Sequence, residues 1–167
     1  MGKTTILTAE NGTLTTAVRN LAHISTAAAG SAAAHVRVKR VEISQNGTTT
    51  LQMIRGAFSL QTAGTTVTAT SVAPVVISPL SGAASGLAGS TTPAGGTART
   101  GTFATVNTTP TYVDHHNFNF ANLAGYLWKP DPTEELWIPP STIWTVRFLA
   151  DPTTMTGWTF SITLDES

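Results

Sequence analysis

Two arms near the end of the chain alternate large apolar and polar residues with a period of two. In Thr142-Ile-Trp-Thr-Val-Arg-Phe148, Trp144, Val146 and Phe148 alternate with Thr145 and Arg147. In Trp158-Thr-Phe-Ser-Ile-Thr-Leu164, Trp158, Phe160, Ile162 and Leu164 alternate with Thr159, Ser161 and Thr163. Successive side chains on a strand point to opposite faces, whereas a helix brings every third or fourth residue to one face. This stretch is therefore confined to β-structure, two antiparallel strands with one face on a core and one polar face. Asp151-Pro152 and Gly157 punctuate the segment between them, which reads as a terminal hairpin. A lone hairpin is marginal in water, so the rest of the chain has to supply a second sheet.

The strands for that sheet are legible upstream. Val36-Arg-Val-Lys-Arg-Val-Glu-Ile43 carries Val36 and Val38 on one parity and Val41 and Ile43 on the other, so a β-bulge at Lys39-Arg40 is needed to bury all four. Asn46-Gly47 predicts a tight hairpin turn that pairs strands at 36–44 and 49–55. Asn11-Gly12 suggests a similar turn. Val75-Val-Ile77, between Pro74 and Pro79, reads as a short edge strand, Thr102–Val106 as another strand, and Leu136-Trp-Ile138 as another. Pro139-Pro140-Ser141 marks a corner where the chain leaves one sheet for the other, because prolines cannot donate to a ladder. With no amphipathic helix in view, about eight to ten short strands at spacings near ten residues predict an all-β antiparallel β-sandwich of jelly-roll type.

The chain is expected to be one domain. Residues 1–34 form an N-terminal arm or first strand plus an Ala-rich connector, and residues 35–167 the jelly roll. Residues 81–101 are a long Gly/Ala/Ser/Thr loop, expected to be disordered or extended because it has almost no large apolar side chain to anchor it, and open to cleavage at Arg99 before Arg147.

Composition narrows the function. Only 11% of the 167 residues are charged and the formal net charge is +0. So neutral a surface favours association over dispersal. Nucleic-acid binding needs a basic patch, and Arg37, Lys39 and Arg40, the one local basic group, read as a solvated edge. There is no cysteine, which removes thiolate metal sites and thiol nucleophiles. No apolar run is long enough for a membrane helix, and the polar start Met1-Gly-Lys-Thr-Thr is unlike a signal peptide, so a soluble protein made in a cytoplasm is expected.

Chemical motifs are weak. Gly2-Lys3-Thr4 lacks the upstream glycine and strand of a phosphate loop. Asp114-His115-His116 places adjacent histidines on opposite faces of a strand, which ill suits one metal ion. Asp131, Glu134 and Glu135 read as an exposed turn, and no Gly-x-Ser-x-Gly elbow is present. No enzyme activity, metal or cofactor is expected. The aromatic block Tyr112, His115, His116, Phe118, Phe120, Tyr126 and Trp128 exceeds what the terminal strands need to cover one core, and the first four with Tyr126 and Trp128 are candidate subunit contacts.

Leu136-Trp-Ile-Pro-Pro-Ser-Thr-Ile-Trp-Thr-Val-Arg-Phe148, the Thr-rich segment after it and the strand ending Leu164-Asp-Glu166 resemble auxiliary virion proteins of tailed bacteriophages. Ser141 stands where that family's Pro-Pro-Gly has glycine. The resemblance implies a jelly roll that forms homotrimers shaped like the tumour-necrosis-factor fold. It implies a protein that binds the major capsid protein on the outer head surface as decoration or cement, and a place on the virion. The alternative expectation is a carbohydrate-binding or receptor-binding β-sandwich module of a virion that uses Trp128, Trp137 or Tyr126 as a stacking platform.

Overall fold

The computed structural model describes residues 2–14, 20–30, 34–45, 52–62, 70–71, 74–78, 84–87, 97–100, 111–120, 125–149 and 155–167. These form strands and turns with no helix among them. The strands are β1 (Lys3–Leu14), β2 (Asn20–Ser25), β3 (Val36–Gln45), β4 (Gln52–Thr62), β5 (Thr70–Ser71) and β6 (Val75–Ser78). They continue with β7 (Thr97–Thr100), β8 (Thr111–Phe120), β9 (Tyr126–Trp128), β10 (Leu136–Ile138), β11 (Thr142–Phe148) and β12 (Met155–Glu166). One sheet runs β10-β3-β12-β1-β6, with β9 also on β3, and the other β5-β7-β2-β11-β4-β8.

The pairing is nested. β1 pairs with β12, β2 with β11, β3 with β9 and β10, and β4 with β8, all antiparallel. First joins last and second joins second-to-last, as if one long hairpin had been wound around a barrel; this is the jelly-roll sandwich. Strands β5 to β7 are inserted between β4 and β8 and extend the far edges, β6 beside β1 and β7 beside β2.

This wiring overturns the local hairpins. β11 and β12 lie in different sheets, and so do β3 and β4, so neither pair is hydrogen-bonded. Asn11-Gly12 is no turn either, since β1 runs through it with Asn11 opposite Trp158 and Thr13 opposite Thr156. Strands that cross between sheets keep the same inward alternation as a hairpin, so the pattern cannot tell the two apart. The segments at 46–50, 101–110 and 150–154, on which the Asn46-Gly47 turn, the strand at 102–106 and the Asp151-Pro152 turn fall, lie outside the described residues.

The bulge in β3 is present. Thr163 stands opposite Arg40 and Leu164 opposite Val38, leaving Lys39 as the extra residue, and Val36, Val38, Val41 and Ile43 are all buried. They meet Leu7, Ala22, Ile24, Phe58, Trp144, Val146, Phe160, Ile162 and Leu164 in one core between the sheets. Trp144 lies at its centre with its ring centroid 5.3 Å from that of Phe58.

The polar parity of β11 departs from expectation. Thr145 and Arg147 are buried along with Ile143, beside buried Ser59 and His23, and the hydroxyls of Ser59 and Thr145 share a hydrogen bond of 2.6 Å. The centre of this sheet is thus covered on both faces. On β12 the alternation is as read, with Phe160, Ile162 and Leu164 buried and Thr159, Ser161 and Thr163 half-buried.

The Pro139-Pro140-Ser141 corner carries the chain from β10 in one sheet to β11 in the other. Thr26, on the segment after β2, holds it: its hydroxyl donates to the Pro139 carbonyl at 2.5 Å and accepts from the Thr142 N–H at 3.1 Å. Ser141 adopts φ 52°, a left-handed conformation natural to glycine.

Candidate functional site

The first sheet carries exposed apolar side chains at both of its edges, Trp137 and Leu127 on β10 and β9 and Val75 and Ile77 on β6. β10 turns Leu136 and Ile138 toward the core, which forces Trp137 out, and it is 50% exposed. β3 buries Val36 and Val38, which forces Arg37 out beside it. Register then sets a row across four strands: Trp137 opposite Arg37, Arg37 opposite Asp165, and Asp165 opposite Thr4. Leu127 stands on the outward parity of β9, Val75 on that of β6, and Ile77 is exposed beside it. Val75, Ile77, Leu127 and Trp137 are the exposed large apolar residues among those described, and all belong to this sheet.

Three ion pairs lie on or beside the outward face of this sheet among the described residues. The Arg37 guanidinium donates to Glu135 Oε2 at 2.9 Å and lies 4.1 Å from the centre of the Trp137 ring. Lys39 Nζ is 3.3 Å from Asp165 Oδ2, and Arg40 pairs with Glu42. These cations were expected on a solvated edge, but β3 is an interior strand with β12 on one side and β9 and β10 on the other. Glu135 was expected in an exposed turn, yet its side chain is only 7% exposed because Arg37 draws it onto the sheet. The turn before it is exposed as read: Asp131 accepts from the backbone N–H and hydroxyl of Thr133 through Oδ1, which holds its carboxyl below the usual range.

Where the row meets the ends of β1 and β12 there is a groove of about 380 Å³, walled by Gly2, Thr4, Arg37, Trp137, Asp165 and Ser167. Thr4 Oγ1 donates to Asp165 Oδ1 at 2.6 Å. A Cβ on Gly2 would stand 3.2 Å from the Glu166 carbonyl, so the chain ends pack closely here.

Glu166 lies beneath, 4% exposed, and the sequence reading missed its role. Its carboxylate accepts from Thr5 Oγ1 at 2.9 Å, Ser85 Oγ at 2.5 Å and the Gly86 N–H at 2.7 Å. Lys3 Nζ adds a hydrogen bond to the Ala84 carbonyl at 2.8 Å. The turn so held delivers Leu87 into the core with no exposure. The Gly/Ala/Ser/Thr loop is thus anchored at 84–87 through its one large apolar side chain and contributes β7 at 97–100. The signal was one leucine in a run of small residues.

The candidate subunit contacts collect at one edge of the sandwich. Tyr112, His115, His116 and Phe118 lie on β8, the edge strand of the second sheet, where His115 pairs with Ala57, His116 with Gly56 and Phe118 with Ile54. Their side chains lie outside the described residues. Tyr126 and Trp128 lie on β9, which closes the same edge from the other sheet and packs inward: Trp128 meets Phe58 edge-on, with centroids 5.1 Å apart. Burial, and then the nearby Asp114 carboxylate, push the Tyr126 phenol well above its ordinary pKa. These two residues are thus part of the core's rim.

Among the described residues no group of three or more His, Cys, Asp or Glu is placed to hold a metal ion. Compared with known proteins, the chain matches no family model, no curated protein and no solved structure.

Proposed function

We propose that this chain is a structural virion protein, a jelly roll that decorates or cements the outer surface of a tailed-phage head by binding the major capsid protein. The observation that carries the reading is the sheet bearing Val75, Ile77, Leu127 and Trp137, together with its ion pairs Arg37–Glu135, Lys39–Asp165 and Arg40–Glu42. Exposed apolar side chains beside paired charges suit a protein contact. Each bound copy would stabilise the assembled shell by mass action, about 2.7 kcal/mol per site at a free concentration one hundred times Kd.

The protein acts as a homotrimer in this reading, with β8 and its histidines near the threefold axis. Light scattering at neutral pH is expected to give the mass of three chains, and a stable monomer at micromolar concentration would remove the trimer from the model. The capsid reading is tested by co-sedimentation with undecorated heads. Binding is expected for the native chain and a marked loss for Leu127→Asp, which leaves the core intact. Absence of co-sedimentation at any ratio would refute it.

A further inference from the structure

We propose that the groove beside Trp137 binds a neutral saccharide, a hexose unit stacked on the indole with its hydroxyls bonded to Asp165 and Arg37. The inference rests on the groove itself and stands apart from the capsid reading. A hexose presents a flat C–H face and a rim of hydroxyls, each both donor and acceptor. Its site therefore needs an exposed aromatic ring next to fixed charged or polar groups.

The groove supplies both. Trp137 stays half exposed although Arg37 covers one face of its ring. The Asp165 side chain is 30% exposed and that of Arg37 33%, so both can be reached from solvent. Asp165 is already fixed, through Oδ1 by Thr4 and through Oδ2 by Lys39, and each carboxylate oxygen keeps a lone pair for a further donor. Arg37 is fixed by Glu135 and the indole and holds further N–H donors. Groups ordered before the ligand arrives lose little entropy on binding it.

The charge balance selects the class of sugar. Arg37 and Lys39 are each satisfied by a carboxylate, and Glu166 spends its own carboxylate on Thr5, Ser85 and Gly86. No unmatched cation remains among the groove residues to favour a sialic or uronic acid. The volume of about 380 Å³ falls in the range of small-ligand sites and suits a mono- or disaccharide.

The test is a titration of the purified chain with glucose, galactose, mannose, N-acetylglucosamine, lactose and 3′-sialyllactose, followed by the indole N–H signals in NMR spectra. One of the neutral sugars is expected to saturate at millimolar concentration or below and to shift the Trp137 signal, with 3′-sialyllactose no better than lactose. Trp137→Ala is expected to weaken binding at least about tenfold, Trp137→Phe less, and Asp165→Asn to an intermediate degree. If no sugar saturates, or if the shifts fall on other indoles and survive in Trp137→Phe and Asp165→Asn, the proposal is overturned. Should Trp137→Ala fail to fold, the native chain's shift map and the two milder variants decide. Capsid co-sedimentation is measured separately on Leu127→Asp, so failure of one reading leaves the other standing.

Discussion

The Glu166 carboxylate accepts the backbone N–H of Gly86 at 2.7 Å, across a sequence separation of 80 residues. Through this contact the last strand holds the turn that places Leu87 in the core. Removing the carboxylate leaves the Gly86 N–H and the Ser85 hydroxyl without their acceptor in a buried site, which costs about 1–3 kcal/mol per group. Glu166→Ala is expected to lower stability by about 3 kcal/mol in urea denaturation. Ser85→Ala in that background should add less than it does alone, because the two groups belong to one network. Additive losses would show that the turn is held by other contacts.

The alternation on β12 gives a face-specific expectation. Phe160 is buried in the core and Ser161 faces outward, half-buried. Phe160→Ala should cost about 3–5 kcal/mol and Ser161→Thr well under about 1 kcal/mol. Thermal melts of the two variants check it, and equal melting temperatures would reverse the assignment.

Tyr126 makes stability depend on alkaline pH. Its folded pKa is raised above the unfolded value of about 10, so the folded state binds the phenolic proton more tightly than the unfolded chain. The resulting stabilisation of the neutral form is intact below about pH 10 and is lost as pH rises toward the folded pKa. The fall in urea midpoint between about pH 9 and 11 should shrink in Tyr126→Phe. An unchanged slope would place the alkaline sensitivity elsewhere.

Ser141 carries a left-handed φ of 52° at the corner between the sheets. Ser141→Gly relieves a cost of about 1–2 kcal/mol and gives back about 0.4–1 kcal/mol through the freer unfolded chain, so it should leave the melting temperature unchanged or slightly higher. Ser141→Val should lower it clearly, because a β-branched residue fits this conformation poorly. A lower melting temperature for Ser141→Gly would mean that the serine side chain itself is needed.

The sequence by itself determined which residues face inward on these strands: Val36, Val38, Val41 and Ile43 around a bulge, Trp144 and Val146 on β11, and Phe160, Ile162 and Leu164 on β12. It also determined the Pro139-Pro140 corner and the short strand between Pro74 and Pro79. These follow from chain-local physics, because a two-residue period and a missing N–H act wherever the strand finally pairs.

Only the tertiary structure decided the partners. Antiparallel pairing joins residues far apart in sequence, such as Leu7 with Ile162, and no local turn encodes that choice. The same applies to the site. Trp137, Arg37, Asp165 and Thr4 come from four strands and form one row only because the register aligns them, while Glu166 reads in sequence as an ordinary charged strand end. Its burial became favourable when the fold brought Thr5, Ser85 and Gly86 within hydrogen-bond reach, since a buried charge persists only where such partners converge.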